Sequence, residues 1–388
     1  MFKYFIPTKV VFGQGSLDKL HRQKLPGKKA LIVITAGKSM RGQGYLARVE
    51  EQLDKAGVDH IVFDKIQPNP LLEHVTEAAE LSKNEGVDFI LGLGGGSSID
   101  SAKAIAVMAA NEGNLWDYVG GATGKNQPIP NAPLPVVAIT TTAGTGTEAD
   151  PWAVITKTDT KEKLGIGWDS TYPVLSIVDP LIMLSVPPKL TAYQGFDALF
   201  HSTEGYIAKI ANPISELYSI DAITRVGRSL AEAVDDGSNV EAREDVALAN
   251  TIAGFIQSIS SCISEHAIEH ALSAYHHELP HGAGLIIISH AYYETLINKG
   301  AVPEKFVNMA KALGKENATK PEDFLTVLLD LQKACGVDDL KLTDYGFTED
   351  ELPGIAKNAH TVMGHMFPLD PVEIDEEATL ALLKKSFK

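Results

Sequence analysis

Asp88-Phe-Ile-Leu-Gly-Leu-Gly-Gly-Gly-Ser-Ser98 decides the fold class. Residues 88–93 are a short apolar run of the kind that forms a buried strand. Glycines and two hydroxyl residues follow at once, and the pattern then turns helical to about residue 111. Glycines let a ligand come close to the backbone. A helix N-terminus offers unpaired N–H groups and the positive end of a dipole, so a pyrophosphate is the natural occupant. The plain alternative is a tight strand-to-helix turn, which needs fewer glycines and hydroxyls than stand here. The spacing is not GxGxxG, so the standard dinucleotide fingerprint is absent.

Working outward, the same alternation recurs on both sides. Residues 29–35 read as a strand, 44–56 as a helix, 60–64 as a strand and 71–84 as a helix. Beyond a loop at 112–133 rich in Gly, Asn and Pro, residues 134–140 form another strand. Residues 153–156 and 163–166 flank a hairpin turn, 176–178 are a last short strand, and 3–12 read as an opening strand or hairpin. Strand and helix alternating at this pitch predict a parallel sheet covered by helices on both faces. After Asp179-Pro180 the strand signal nearly vanishes. Helical stretches follow at 191–210, 214–234, 242–274, 283–298, 303–313, 321–334 and 349–358, with an ambiguous end in which 374–385 could be a last helix. The expected fold is an α/β Rossmann-like dinucleotide-binding domain over 1–183, then an all-α metal domain over 184–388.

Composition agrees with two folded domains. The chain has 388 residues, 44% hydrophobic and 22% charged. Its net charge of −16 argues against a nucleic-acid surface, which needs a basic patch to meet phosphates. Cys262 and Cys335 are the only cysteines, too few for a disulfide framework or a thiolate metal site, so a reducing compartment is expected. No window reaches about 18 uninterrupted apolar residues, so no membrane span is expected and a cytoplasmic location is.

Thr140-Thr-Thr-Ala-Gly-Thr-Gly-Thr147 is a second loop of small and hydroxyl residues after a strand. Ligands of open α/β sheets bind at the carboxyl ends of strands. Two such loops favour one extended ligand such as a dinucleotide over two loops that merely cap themselves. Cofactor choice is read at Gly37-Lys38-Ser39, after the strand at 29–35. An acid there would bind a ribose and repel a 2′-phosphate. A Lys and a Ser stand there instead, which favours NADP(H), with NAD(H) as the alternative. The plain reading of Lys38 is a solvated loop lysine.

In the helical half, Asp197 and His201 are spaced i, i+4, and so share one helix face. His266 and His270 repeat that spacing, and His281 stands at a turn between Pro280 and Gly282. A lone helical histidine is usually structural, but this grouping points to a divalent metal. Oxygen and imidazole donors without thiolate suit Fe²⁺, Zn²⁺ or a similar ion. Spacing leaves open which of His266 and His270 binds, with His276 and His277 as weaker candidates.

Together these stretches, with Val11-Phe-Gly13, Pro68-Asn-Pro70 and Asp179-Pro180, resemble the iron-containing (group III) alcohol dehydrogenase family over nearly the whole chain. The fold implied is the dehydroquinate synthase-like two-domain plan. The resemblance implies Fe²⁺ or another divalent ion held by Asp197, His201, His266 and His281. His270 becomes a catalytic histidine beside the substrate. Asn69, Gly95, Gly96, Ser97, Asp100, Thr140, Thr141, Thr147 and Lys163 join Gly37, Lys38 and Ser39 as cofactor-binding residues. The interval from His266 to His281 is one residue longer than in many members, the extra residue falling within 275–279. Phe200, Ser202 and Thr203 replace commoner residues beside His201.

The expected activity is hydride transfer between a nicotinamide dinucleotide and a small alcohol, aldehyde or diol, by a homodimer or higher homo-oligomer. A lyase of the dehydroquinate synthase type shares the plan, but such enzymes need basic residues for a phosphorylated substrate. Residues 195–209 and 261–282 are poor in Arg and Lys. A binding protein without activity is disfavoured by the intact ligand set and both cofactor loops.

Overall fold

The computed structural model describes residues 1–387, and the chain divides into two compact units. One comprises Ile6–Thr142 and Gly146–Ser185; the other comprises Met1–Phe5, Ala143–Thr145 and the chain from Val186 onward.

The first unit is built on six parallel strands: β1 (Lys9–Phe12), β2 (Lys29–Thr35), β3 (Asp59–Ile66), β4 (Phe89–Gly94), β5 (Val136–Thr140) and β8 (Leu175–Val178). A separate antiparallel hairpin joins β6 (Ala153–Lys157) to β7 (Glu162–Ile166). The sheet order is β1-β8-β5-β4-β2-β3, with every pairing parallel. β4 and β5 are buried throughout, as their unbroken apolar runs require of strands covered on both faces. Ile32, Ile34, Leu91, Leu93, Val137, Ile139 and Ile177 form one continuous core with Val49 and Leu53 of the covering helix Tyr45–Lys55. The opening strand is shorter than residues 3–12, because Met1–Phe5 belongs to the other unit.

The strand order places the ligand-binding end. The chain passes from β2 outward to β3, then returns to lay β4 on the other side of β2. The order therefore reverses between β2 and β4, and a crevice opens past the carboxyl ends of strands at such a point. Gly37, Lys38 and Ser39 follow β2; Gly95, Gly96 and Ser97 follow β4.

The second unit is helical. Pro188–Ile207 begins on a proline whose missing N–H costs nothing at a helix start. Pro213–Asp235 starts in a capping box made by Asn212 and Ser215. The expected helix over 242–274 is two helices, Val240–Ile259 and Ser264–Tyr275. His281–Asn298, Pro303–Ala312, Glu322–Ala334, Leu352–Val362 and Glu376–Ser386 complete the unit. No single helix among the described residues is long and apolar enough to cross a membrane.

Candidate functional site

In the α/β unit, the helix Gly96–Ala110 leaves β4 through a backbone only glycine adopts easily. Gly94 has φ 144°, and a Cβ there would fall 2.5 Å from Ser98 Oγ. Gly95 at the N-cap has no side chain to satisfy the first N–H groups of the helix, which leaves them for an anionic ligand. Gly96 and Ser97 form the first turn. Thr140 and Thr141 end β5 beside it, and Thr141 N donates to Gly94 O at 2.9 Å. Asn69 has a left-handed backbone, φ 53°, and accepts from Lys163 Nζ at 3.0 Å, so two expected cofactor residues from distant parts of the sequence meet. Gly37, Lys38 and Ser39 are exposed past the end of β2.

Asp100 and Thr147, also expected at the cofactor, meet each other. Thr147 Oγ1 donates to Asp100 Oδ1 at 2.6 Å, and Val154 N donates to Asp100 Oδ2 at 2.9 Å. Lys103, fully buried, donates to Thr147 Oγ1 (2.7 Å), to Asp150 O (2.9 Å) and Oδ1 (3.0 Å), and to Trp152 O (2.6 Å). Their contacts brace the hydroxyl-rich loop and the hairpin against the helix Gly96–Ala110.

In the helical unit, Asp197 Oδ1 stands 3.2 Å from His201 Nε2, 3.5 Å from His266 Nε2 and 3.5 Å from His281 Nε2. The structure therefore gathers one carboxylate and three imidazoles from three helices. Gly282 permits it: a Cβ there would overlap the Tyr193 carbonyl, so only glycine lets the helix carrying His281 lie against the one carrying Asp197. The helix carrying His266 ends at Tyr275 and the one carrying His281 begins at His281, so residues 276–280 form the connection.

These donors fit a divalent ion. Four donors placed tetrahedrally about 2.1 Å from an ion lie about 3.4 Å from one another. Asp197 Oδ1 and His266 Nε2 are buried without a hydrogen-bond partner, a costly state unless another ligand satisfies them. Burial lowers His201 and His266 below the ordinary imidazole range, and repulsion from His266 and His281 respectively adds to it. The rings are thus neutral at neutral pH, the state in which imidazole binds metal.

The opposite ring nitrogens are held by carboxylates. His266 Nδ1 meets Glu204 Oε1, and His281 Nδ1 meets Glu269 Oε2, both closely. A carboxylate on Nδ1 fixes the proton there and leaves Nε2 free to ligate. The sequence reading missed Glu204 and Glu269, though a signal existed. His201-Ser-Thr-Glu204 and His266-Ala-Ile-Glu269 both read His-x-x-Glu, and each Glu supports the next histidine of the cluster along the chain, Glu204 holding His266 and Glu269 holding His281.

His270 is buried beside the cluster, its ring 5.4 Å from that of His281 and 6.5 Å from that of His266. Its ligand-type atoms group with those of Glu269 and His281, whereas those of Asp197 group with His266 and His281. His276 is turned away, meeting Glu351 at 3.1 Å and the ring of Phe347. His277 belongs to none of the metal-type clusters among the described residues. Phe200 and Thr203 both pack inward: Thr203 Oγ1 is 2.6 Å from Tyr293 Oη, and the ring of Phe200 lies 6.1 Å from that of Tyr293. Behind His266, Asp370 accepts from Tyr292 Oη (2.6 Å) and Ser264 Oγ (2.9 Å), and burial raises it to about 6.

A parallel-sheet nucleotide unit joined to a helical unit with an Asp-His₃ centre defines a metal- and nicotinamide-dependent class of enzyme. Residues 7–180 match the model of the iron-containing alcohol dehydrogenase family, and residues 191–387 match that of its C-terminal domain. The chain belongs to that family, which implies a divalent metal and a nicotinamide dinucleotide. It is 35% identical to the 1,3-propanediol dehydrogenase of Klebsiella pneumoniae, over 100% of this chain and 99% of that protein. It is 34% identical to the NAD-dependent methanol dehydrogenase of Bacillus methanolicus, over 92% and 93%. Among solved structures, an archaeal halo-thermophilic alcohol dehydrogenase from a Red Sea brine pool superposes with a TM-score of 0.95 at 34% identity, covering 100% of this chain and 99% of that one. These relatives are dehydrogenases, which favours hydride transfer over the lyase alternative.

Proposed function

We propose that the protein interconverts a small primary alcohol or diol and its aldehyde, with NADP(H) as the preferred carrier and Asp197, His201, His266 and His281 as the metal ligands. The observation that carries this reading is the buried Asp197 carboxylate oxygen facing three imidazole nitrogens at the spacing of a coordination shell. A divalent ion there supplies Lewis acidity toward the alcohol or aldehyde oxygen, and the dinucleotide takes or gives the hydride. Asp197 contributes the one negative charge among the ligands. Glu204 and Glu269 keep their imidazoles aimed and in the right tautomer. His270, beside the ligands, is placed to hold the proton that an alcohol must lose, imidazole being the usual side chain for that role. Gly95, Gly96 and Ser97 present backbone N–H groups to the diphosphate, and Thr140 and Thr141 line the same strand ends. Asn69 and Lys163 steady the hairpin side, while Asp100 and Thr147 hold the loop in place.

NADP(H) is supported by the absence of an acid at Gly37-Lys38-Ser39. Asp64 at the end of β3 is paired with Arg41 at 2.7 Å, which offsets its repulsion of a 2′-phosphate. Iron is the expected ion, with zinc the alternative on the same donor set. Two cysteines that form no disulfide support a reducing, cytoplasmic setting, and the family resemblance supports a homodimer or larger assembly.

The test is absorbance at 340 nm with NADPH or NADH, a panel of small aldehydes, and added Fe²⁺ or Zn²⁺, with and without chelator. Chelator-sensitive consumption is expected. No consumption with any aldehyde and any divalent ion would remove the dehydrogenase reading. Gly37→Asp should shift the ratio of kcat/KM for NADPH over NADH downward by about tenfold, the scale of one ribose-end contact of roughly 1.4 kcal/mol. An unchanged ratio would show that this loop does not select the cofactor.

A further inference from the structure

We infer that Cys262 and Gln257 position the metal ligand His201, doing with a thiol and an amide what Glu204 and Glu269 do with carboxylates for the other two imidazoles. The inference rests on the metal-centre reading above.

His201 Nδ1 lies 3.0 Å from Cys262 Sγ. Cys262 Sγ in turn donates to Gln257 Oε1 at 3.7 Å, and Gln257 Nε2 donates to Thr145 O at 2.9 Å. The direction of this chain follows from its ends. Thr145 O is a carbonyl and only accepts, so the Gln257 amide has its nitrogen toward the loop and its oxygen toward the sulfur. That oxygen accepts the S–H. The sulfur then has lone pairs facing His201, and the ring proton sits on Nδ1. His201 Nε2 is left with its lone pair toward Asp197, the tautomer a metal ligand requires.

The backbone shows what delivers the sulfur. The long helix predicted over 242–274 breaks after Ile259; Ser260 leaves the helical conformation and Ile263 is extended. Within the break, Ser260 Oγ donates to Gly205 O at 2.9 Å, and Ile263 N meets Glu204 Oε2. One interruption thus seats Cys262 on His201 and clamps the carboxylate that holds His266. Sulfur accepts a hydrogen bond more weakly than a carboxylate does. His201 is therefore the least strongly supported of the three imidazoles, and the one whose hold on the ion depends most on its neighbour.

Chelator competition with Co²⁺ on apo wild type, Cys262→Ser, Cys262→Ala and Gln257→Leu tests the assignment without an activity assay. Cys262→Ala should weaken Co²⁺ binding by about 10–100-fold and shift the Co²⁺ d–d absorption, because His201 turns. Cys262→Ser keeps an acceptor and should stay nearer wild type, and Gln257→Leu should fall between. Wild-type affinity together with an unchanged spectrum in Cys262→Ala would overturn the role. Alkylation of the wild type with iodoacetamide gives a reading that needs no variant. Co²⁺ should slow modification of Cys262 relative to Cys335, the other buried cysteine and an internal gauge of general opening. A ratio indifferent to Co²⁺ would also overturn it. If the wild type takes up no Co²⁺, the metal-centre reading itself fails. Uptake by the wild type, with the same affinity and spectrum in Cys262→Ala, removes only the role of Cys262.

Discussion

Two buried charged clusters, one in each unit, are handled in opposite ways. Lys103 in the α/β unit is surrounded by acceptors: Thr147 Oγ1, Asp150 O, Asp150 Oδ1 and Trp152 O. Each of its three ammonium hydrogens has somewhere to go, and the cluster is closed. Asp197 in the helical unit faces three ring nitrogens, yet its Oδ1 and the Nε2 of His266 have no hydrogen-bond partner. A saturated cluster is a brace, and its value is to hold the Thr-rich loop on the helix below. An unsaturated one at coordination spacing has the donors that suit a cation. Burial and charge alone do not distinguish them; the count of satisfied donors and acceptors does.

The largest effect that could break this contrast is His201→Ala. Loss of one of four ligands should reduce bound metal from stoichiometric to undetectable by elemental analysis, and activity with it, while circular dichroism stays native. Retained metal would mean the shell is drawn wrongly. Lys103→Met is the counterpart. It leaves Asp150, which burial already raises to about 7, without its partner, a loss on the order of 3–5 kcal/mol. The melting temperature should drop sharply while the folded fraction binds metal as before. A variant that melts like the wild type would deny the brace. Glu204→Gln keeps an acceptor but removes the charge behind His266. Metal affinity should fall by about tenfold, the low end for such partners, measured by chelator competition; no change would make Glu204 a bystander.

Asp370 gives an intermediate case, with Oδ1 doubly satisfied and Oδ2 without a partner. Burial raises it from 3.8 to about 6. The folded state therefore binds its proton more tightly than the unfolded chain does. The stability this contributes is fully present below about pH 4 and is lost as pH rises through about 6. At about 1.4 kcal/mol per pKa unit the loss is on the order of 3 kcal/mol. Asp370→Asn should flatten the stability–pH curve between about pH 4 and 6, followed by urea unfolding. A curve as steep as the wild type's would assign the slope to other groups.

The sheet and the histidine cluster were legible in the sequence, for different reasons, whereas the Lys103 cluster was not. The parallel sheet follows from strand runs and glycine turns that are local signals, and the metal residues follow from i, i+4 spacing and the family motifs. What escaped was set by distant partners. Residues 242–274 keep an apolar periodicity with no Pro, and their one glycine, Gly254, lies inside the first helix rather than at the break, so the break after Ile259 was invisible. It is imposed by Gly205 and Glu204 on another helix, on serines that readily exchange helical bonds for others. Asp100 and Thr147 read as cofactor contacts because they belong to the two ligand-type motifs. Their bond to each other, and those to Val154 and Lys103, join residues too far apart in sequence to be foreseen. Glu204 and Glu269 looked like ordinary helical acids until the rings they hold came from other helices.

Ala143–Thr145 belongs to the helical unit although its flanks belong to the sheet. Ala143 N donates to Gln194 Oε1 at 3.2 Å, and Thr145 O accepts from Gln257. A dissected fragment beginning at Val186 would therefore be missing part of its own interior, with two glutamine side chains stripped of the backbone they hold. The chain is modular by eye and by family match, yet it cannot be cut into modules with one scissor stroke. Anyone grafting a foreign nucleotide domain onto this helical half must carry that tripeptide across with it.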